Sequence, residues 1–142
     1  IIESKNPDKL FNLFEFAASD GNTVEYGFLR TQDGWKSNGY LYTSGLAGSL
    51  GDQFQNFFDN LMNSSLFLNV TELWHNHNSS SFRPSGFEED GSISEWYNGD
   101  RGFLEMIKNK YINRVPQSAN ILLPNTNLMI QHDEKSFKLN YR

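Results

Sequence analysis

Residues 50–77 read LGDQFQNFFDNLMNSSLFLNVTELWHNH, and the hydrophobic period changes within this stretch. Its first half predicts an amphipathic helix, because the large apolar residues recur at helical spacing: Leu50, Phe54, Phe57, Phe58 and Leu61. The second half, Leu66 to His77, predicts a strand that carries Val70, Leu73 and Trp74. A helix followed by a strand ending in two histidines is therefore the centre of the predicted fold.

The residues before this stretch predict a helix and a hairpin. Asn6-Pro7-Asp8 has the order that a helix start prefers, with a cap, then proline, then an acidic side chain. The runs from Thr23 to Arg30 and from Trp35 to Thr43 are rich in β-branched and aromatic residues, and Asp33-Gly34 between them is a turn signal. The N-terminal part of the chain is thus predicted as α-β-β.

The residues after the histidines predict a long polar connection over 78–99, a third helix capped by Asp100, and three short strands. We place these strands at Ala119–Leu123, Leu128–Gln131 and Ser136–Tyr141. The complete order is α-β-β-α-β-α-β-β-β, which indicates a single α+β or mixed α/β domain over residues 1–142. Because the sequence begins at Ile1 rather than Met, we expect this domain to be a module cut from a longer polypeptide or a processed product.

Composition excludes several classes of protein. Twelve Lys and Arg against seventeen Asp and Glu leave a net charge of −5, which argues against a nucleic-acid-binding protein. No apolar stretch approaches the ~20 residues that a membrane-spanning helix needs. The absence of cysteine removes disulfides, thiolate nucleophiles and zinc sites that use sulfur. Any metal ion must therefore be held by His, Asp or Glu.

His75-Asn76-His77 is the strongest candidate for such a site. Residues two apart on a strand share one face, so both imidazoles point the same way and can bind one zinc ion. A catalytic zinc site has three protein ligands and an open position, and one of the later carboxylates Glu88, Asp90 and Asp100 could complete it. The alternative is a pair of ordinary polar residues at a strand end.

Glu25 is a second candidate residue. It lies among apolar neighbours in Val24-Glu25-Tyr26-Gly27-Phe28-Leu29. A glutamate in such a strand is either on the solvent face of a half-buried sheet or a carboxylate placed for a function. His132, in contrast, lies in Gln131-His132-Asp133 at a predicted turn, and we interpret it as a surface residue.

Taken together, these residues resemble the JAB/MPN/JAMM family of zinc metallopeptidases. The family motif is a distant Glu followed by His-x-His, seven residues, Ser, two residues and Asp. Here Glu25 precedes His75-Asn76-His77, and seven residues separate His77 from Ser85. The resemblance covers roughly residues 7–115 and implies a central, mostly antiparallel sheet flanked by helices.

The sequence departs from the family motif at the third ligand. The position of the family's Asp holds Glu88, and Asp90 is two residues further on. In the family this Asp begins a helix, and the residue that does so here is Asp100, so we predict Asp100 as the ligand and Gly86 to Gly99 as an insertion. This arrangement resembles the JAB-like toxin domains at the C-terminal ends of bacterial polymorphic toxins and secreted effectors.

The resemblance implies a zinc-dependent peptide or isopeptide hydrolase that acts as a toxin or effector domain. Zinc would be held by His75, His77 and Asp100 and would activate water, Glu25 would be the general base, and Ser85 would stabilise the oxyanion. The implied partners are a protein or peptide substrate and an immunity protein, and the implied location is outside the producing cell. The alternative within the family is a catalytically inactive, JAMM-like protein-binding module.

Two other zinc or histidine enzymes fit less well. Nucleobase deaminases require cysteine ligands beside a His-x-Glu element, and this chain has no cysteine. HNH nucleases spread their residues over a hairpin and a helix, whereas here the His-Asn-His residues are consecutive, and the net charge of the chain is negative.

Overall fold

The computed structural model describes residues 1–20, 24–47, 50, 53–77 and 82–142. Over these ranges the chain forms the following strands and helices in order: β1 (Ile2–Ser4), α1 (Pro7–Ala18), β2 (Val24–Asp33), β3 (Lys36–Ala47), α2 (Gln53–Ser64), β4 (Leu68–Asn76), α3 (Gly99–Lys110), β5 (Ala119–Leu122), β6 (Leu128–His132) and β7 (Phe137–Tyr141). The predicted order is confirmed, with one short strand, β1, added before it. The predicted strand start at Thr23 and residues 78–81 of the polar connection lie outside the described residues.

All strands belong to one sheet with the order β1-β3-β2-β4-β5-β6-β7. Neighbouring strands are antiparallel except for β4 and β5, which are parallel. The predicted α+β class with a mostly antiparallel sheet is therefore confirmed. A parallel pair needs a long crossover connection, and here that crossover contains the polar connection and α3. It starts where β4 ends, directly after the two histidines.

The sheet is covered by helices on both faces. One face packs against α1 through an apolar cluster that includes Phe14, Phe28 and Trp74. The other face packs against α2 and α3 through a larger cluster that includes Leu29 and Phe58. Because neighbouring strand residues point to opposite faces, Phe28 and Leu29 serve different clusters.

The same alternation sets the direction of the histidines. Trp74 packs on the α1 face, so His75 points to the face that carries α2 and α3. The register between β2 and β4 pairs Gly27 with His75, which brings the start of β2 beside the end of β4. Within the described residues no helix is long and apolar enough to cross a lipid bilayer.

Candidate metal centre

Three elements bring four predicted site residues together at one end of the sheet. The end of β4 supplies His75, and His77 follows directly after the strand; the two ring centroids are 5.2 Å apart. The first turn of α3 supplies Asp100, whose Oδ1 is 3.3 Å from Nε2 of His75 and whose Oδ2 is 3.3 Å from Nε2 of His77. One carboxylate thus faces both imidazoles, and the two histidines point the same way as predicted.

The start of β2 supplies the fourth residue, Glu25. One carboxylate oxygen of Glu25 and one ring nitrogen of each histidine lie within 4.8 Å of one another, a spacing that allows a shared metal ion. Two carboxylates therefore lie near His75 and His77, that of Glu25 from β2 and that of Asp100 from α3. Glu25 and His75 are both buried, with 8% and 9% of their surface exposed.

Ser85 is joined to Asp100 by reciprocal hydrogen bonds. The backbone N–H of Ser85 donates to Oδ2 of Asp100 at 2.9 Å, and the backbone N–H of Asp100 donates to Oγ of Ser85 at 2.7 Å. The carbonyl of Ser85 also accepts from the N–H of Arg101 at 3.1 Å. Ser85 therefore satisfies N–H groups at the start of α3 that have no partner within the helix.

The prediction that Asp100 caps α3 is wrong. The helix begins at Gly99 with Asn98 at the cap position, and Asp100 lies in the first turn. The side chain of Asp100 accepts from Ser85 and faces the histidines instead of capping its own helix. This difference follows from the contact with Ser85, which is fifteen residues away in the sequence.

The predicted insertion, Gly86 to Gly99, folds back on itself. The N–H of Ser94 donates to the carbonyl of Gly86 at 3.0 Å, and Phe87 and Ile93 form a β-bridge. We call residues 86–98 the site hairpin. Its two ends lie side by side, which is why Ser85 and Asp100 are neighbours in space.

The tip of the site hairpin carries the two alternative ligands. Glu88 and Asp90 are exposed, and Oδ1 of Asp90 accepts hydrogen bonds from the N–H and the hydroxyl of Ser92. Among the three candidate ligands Glu88, Asp90 and Asp100, Asp100 is the one that faces the histidines.

Gly99 closes the base of the site hairpin, and alanine there is expected to damage both stability and the site. Gly99 has φ +49°, and a Cβ atom would lie 2.3 Å from Oγ of Ser85. Gly99→Ala should therefore add a steric clash of about 1–3 kcal/mol to the ~1–2 kcal/mol of the left-handed backbone. Displacing Ser85 from Asp100 should also weaken the binding of a metal ion beside Asp100.

Gly34→Ala is the matched control for Gly99→Ala. Gly34 has φ +60°, but nothing lies within 4 Å of the Cβ position, so alanine there adds only the strain of the left-handed backbone and no steric clash. Urea unfolding and zinc titration should show the larger loss of stability, and the loss of zinc affinity, in Gly99→Ala alone. Equal effects in the two variants would contradict the proposed contact between Gly99 and Ser85.

The buried charges shift one another's pKa values. Burial raises the pKa of Glu25, which His75 lowers in part. Burial opposes a charge on His75, but the carboxylates of Asp100 and Glu25 outweigh it and raise the pKa of this imidazole. Burial likewise opposes the charge on Asp100, yet the two histidines hold its pKa well below the ordinary value. Without a metal ion, a proton on His75 therefore stabilises the carboxylates of the site.

The interpretation of His132 as a surface residue was wrong. His132 is 2% exposed, because it lies at the end of β6 between two neighbouring strands, and the ring of Phe87 covers it at a centroid distance of 6.4 Å. Its Nδ1 is 3.0 Å from the carbonyl of Asp133. Burial lowers the pKa of His132, so this imidazole favours the neutral form.

These pKa directions predict that the metal-free protein loses stability as the pH rises above about 7. The pKa of His75 is raised by folding, so its contribution to the free energy of unfolding is fully present below pH 6.5, its ordinary pKa. This contribution is lost as the pH rises through the pKa of His75 in the folded protein. The pKa of Glu25 is also raised, so its contribution to the free energy of unfolding is likewise lost as the pH rises above 4.5. The contribution of Asp100 is lost as the pH falls below 3.8, and that of His132 as it falls below 6.5.

Urea unfolding in EDTA from about pH 7 to about pH 8.5 tests this expectation. His75→Gln is the control, because the difference between wild type and this variant isolates the imidazole, and it should shrink as the pH rises. Zinc binding should strengthen over the same range, since metal ligands must be deprotonated. A difference that grows with pH would contradict the assigned direction.

The residues present fit a metal ion. His75, His77 and Glu25 offer two imidazoles and a carboxylate whose ligand atoms lie within 4.8 Å of one another, a donor set that suits zinc. Nε2 of His75 is buried and has no hydrogen-bond partner among the described residues, although Asp100 is close to it. A buried polar atom without a partner is rare in proteins and calls for an explanation, and a cation between these groups would provide one. The cluster can thus bind a metal ion.

The chain matches no model of a protein family, no curated protein and no solved structure in the comparisons that were made.

Proposed function

We propose that this protein is a zinc-dependent peptide or isopeptide hydrolase of the JAMM type. The observation that carries the proposal is the meeting of Asp100 with His75 and His77, with a carboxylate oxygen of Glu25 within 4.8 Å of one ring nitrogen of each histidine. When bound, zinc would supply a Lewis acid that lowers the pKa of water toward ~7. His75, His77 and Asp100 would hold the ion.

Glu25 is proposed as the general base. It would take a proton from the attacking water and pass it to the leaving amine of the cleaved bond. Its burial raises its pKa, which brings it closer to the neutral range where a base works best. The carboxylate lies within reach of both histidines, where that water would have to be.

Ser85 is proposed to stabilise the oxyanion. A hydroxyl has one proton to donate and can accept two hydrogen bonds. Oγ of Ser85 accepts from the N–H of Asp100, which fixes the oxygen while its own proton stays available for the substrate. Such a preorganised donor stabilises charge that develops on the carbonyl oxygen of the scissile bond.

The site hairpin is proposed to form one wall of the substrate groove. Phe87 anchors the site hairpin, since it is buried against Phe137 with ring centroids 5.1 Å apart. Trp96 and Tyr97, near the end of the site hairpin that joins α3, are 91% and 64% exposed. Large exposed aromatic side chains are enriched where proteins bind one another, which supports a protein or peptide substrate.

A role as a toxin or effector domain is proposed from the sequence resemblance. The residues that support it are Pro84-Ser85-Gly86 and, after the insertion, Gly99-Asp100. A hydrolase aimed at proteins of another cell must act outside its producer and must be neutralised inside it. Delivery to a target cell and a cognate immunity protein are therefore part of the proposal.

A cleavage assay tests the proposed function. Zinc-loaded protein is incubated with a peptide library and with conjugates linked through a lysine isopeptide bond, and mass spectrometry detects new amino and carboxyl ends. We expect cleavage that stops with a chelator and returns when zinc is added back. Bound zinc without cleavage of either kind of bond would favour the inactive binding module.

A further inference from the structure

The strand that carries Glu25 loses its regular pairing at this residue. The register between β2 and β3 shifts between Val24 and Tyr26, and the last pair between β2 and β4 joins Gly27 to His75. Glu25 therefore lies beyond the last regular pair with β4. Such irregularities leave backbone groups without ladder partners and redirect side chains near functional sites.

The side chain of Asn76 supplies the missing partners. Its Oδ1 accepts from the N–H of Tyr26 at 2.7 Å, and its Nδ2 donates to the carbonyl of Val24 at 3.3 Å. These two groups belong to the residues on either side of Glu25. On the other side of the strand, the hydroxyl of Thr43 donates to the carbonyl of Glu25 at 2.9 Å.

Asn76 is also well placed to hold this geometry. It is 1% exposed, and removing a hydrogen-bond partner from a buried group is more unfavourable than removing it from a solvated one. It lies between His75 and His77 in the sequence, so its backbone is continuous with both candidate ligands. Its side chain points away from them, because neighbouring residues on a strand face opposite sides.

We infer that Asn76 is a positioning residue that fixes Glu25 relative to the two histidines. The amide binds the backbone on both sides of Glu25, while the same residue is part of the segment that carries His75 and His77. The base and the metal ligands are thereby tied together through one side chain. This inference rests on the proposed function, in which Glu25 is the general base.

The first test uses the metal-free protein and needs no activity. In wild type, the side-chain amide protons of Asn76 and the N–H of Tyr26 should exchange with solvent slowly. In Asn76→Ala, exchange of the Tyr26 N–H should accelerate by about three- to tenfold, the effect of losing one hydrogen bond. The carboxyl ¹³C resonance of Glu25, identified by its absence in Glu25→Gln, should also shift.

Thr71→Val is the matched control. The hydroxyl of Thr71 donates to the carbonyl of Arg30 at 3.2 Å, beside the register shift between β2 and β4, the two strands that the Asn76 side chain also joins. This variant loses an exposed side-chain bond between the same two strands, away from the histidines, and should leave Tyr26 exchange and the Glu25 resonance unchanged. If Asn76→Ala does not fold, fast exchange of the Asn76 amide protons in wild type is enough to overturn the inference.

The second test uses the zinc-loaded enzyme. Asn76→Ala should lower kcat by about 10- to 100-fold with little change in KM, because a small displacement of a reacting group has effects of this size. The double variant with Glu25→Gln should be no slower than Glu25→Gln alone, whereas independent losses that multiply would overturn the inference. Wild type that fails to hydrolyse anything refutes the proposed function, and the metal-free measurements then decide the positioning role.

Discussion

Bound zinc is expected to fall to a trace in Asp100→Ala and in His75→Ala, while Glu88→Ala and Asp90→Ala keep the wild-type content. Asp100 and His75 each provide one of three proposed ligands, with Nε2 of His75 3.3 Å from Oδ1 of Asp100. Losing a direct ligand should weaken zinc binding by more than the ~10–100-fold that loss of an outer-shell partner causes. Elemental mass spectrometry on protein purified without chelators measures the content.

The two control variants separate the site from the acidic tip of the site hairpin. Glu88 is exposed, and Asp90 is occupied with Ser92, so neither side chain has a reason to affect zinc. Urea unfolding of all four variants measures whether each still folds, so that a loss of zinc can be distinguished from a loss of folding. Loss of zinc in Asp90→Ala or Glu88→Ala would mean that the tip of the site hairpin, and not α3, completes the site.

The histidine pair could be located from the sequence because it depends on a local property. The two-residue period of a strand places His75 and His77 on one face whatever the rest of the chain does. Both imidazoles do reach the same carboxylate. The element order was predictable for a similar reason, since the periods of the helices and longer strands are visible over ten residues or so.

The choice among the carboxylates could not be made from local pattern. Which of Asp100, Asp90 and Glu88 faces the histidines depends on how the site hairpin folds back, and therefore on Gly86 and Gly99, both of which have positive φ. A Cβ atom at Gly86 would lie 2.2 Å from the carbonyl of Asn98. Glycine at both ends is a readable signal that these ends approach closely, but it does not identify the partner.

Non-local burial also explains what the sequence misplaced or left out. His132 follows the predicted strand Leu128–Gln131 and precedes Asp133, which is typical of a turn, yet it belongs to β6 and Phe87 from the site hairpin covers it. Ile2–Ser4 is too short to give a strand pattern, and it becomes a strand because it pairs with residues 39–41 of β3. In both cases the decisive neighbour lies more than 30 residues away.

Hydrolysis is expected to fall by about 10²–10⁴-fold in Glu25→Gln, with zinc content unchanged. Glutamine keeps the size of the side chain and can still hydrogen-bond, but it cannot accept the proton that the mechanism assigns to Glu25. The measurement is kcat/KM on the substrate that the cleavage assay identifies, with zinc determined in the same sample. Glu72→Gln is the matched control, because Glu72 is a carboxylate on β4 whose partners are Arg30 and the indole N–H of Trp74, outside the site.

The zinc content of Glu25→Gln also decides between a catalyst and a structural centre. Catalytic zinc sites keep one position open, whereas structural zinc sites are closed by four protein ligands. Glu25 lies close enough to both histidines to be a ligand beside Asp100, which would give two imidazoles and two carboxylates. If Glu25→Gln loses zinc together with activity, Glu25 is a ligand of a closed site. If it keeps zinc and loses only hydrolysis, the fourth position belongs to water, and Glu25 acts on that water as a base.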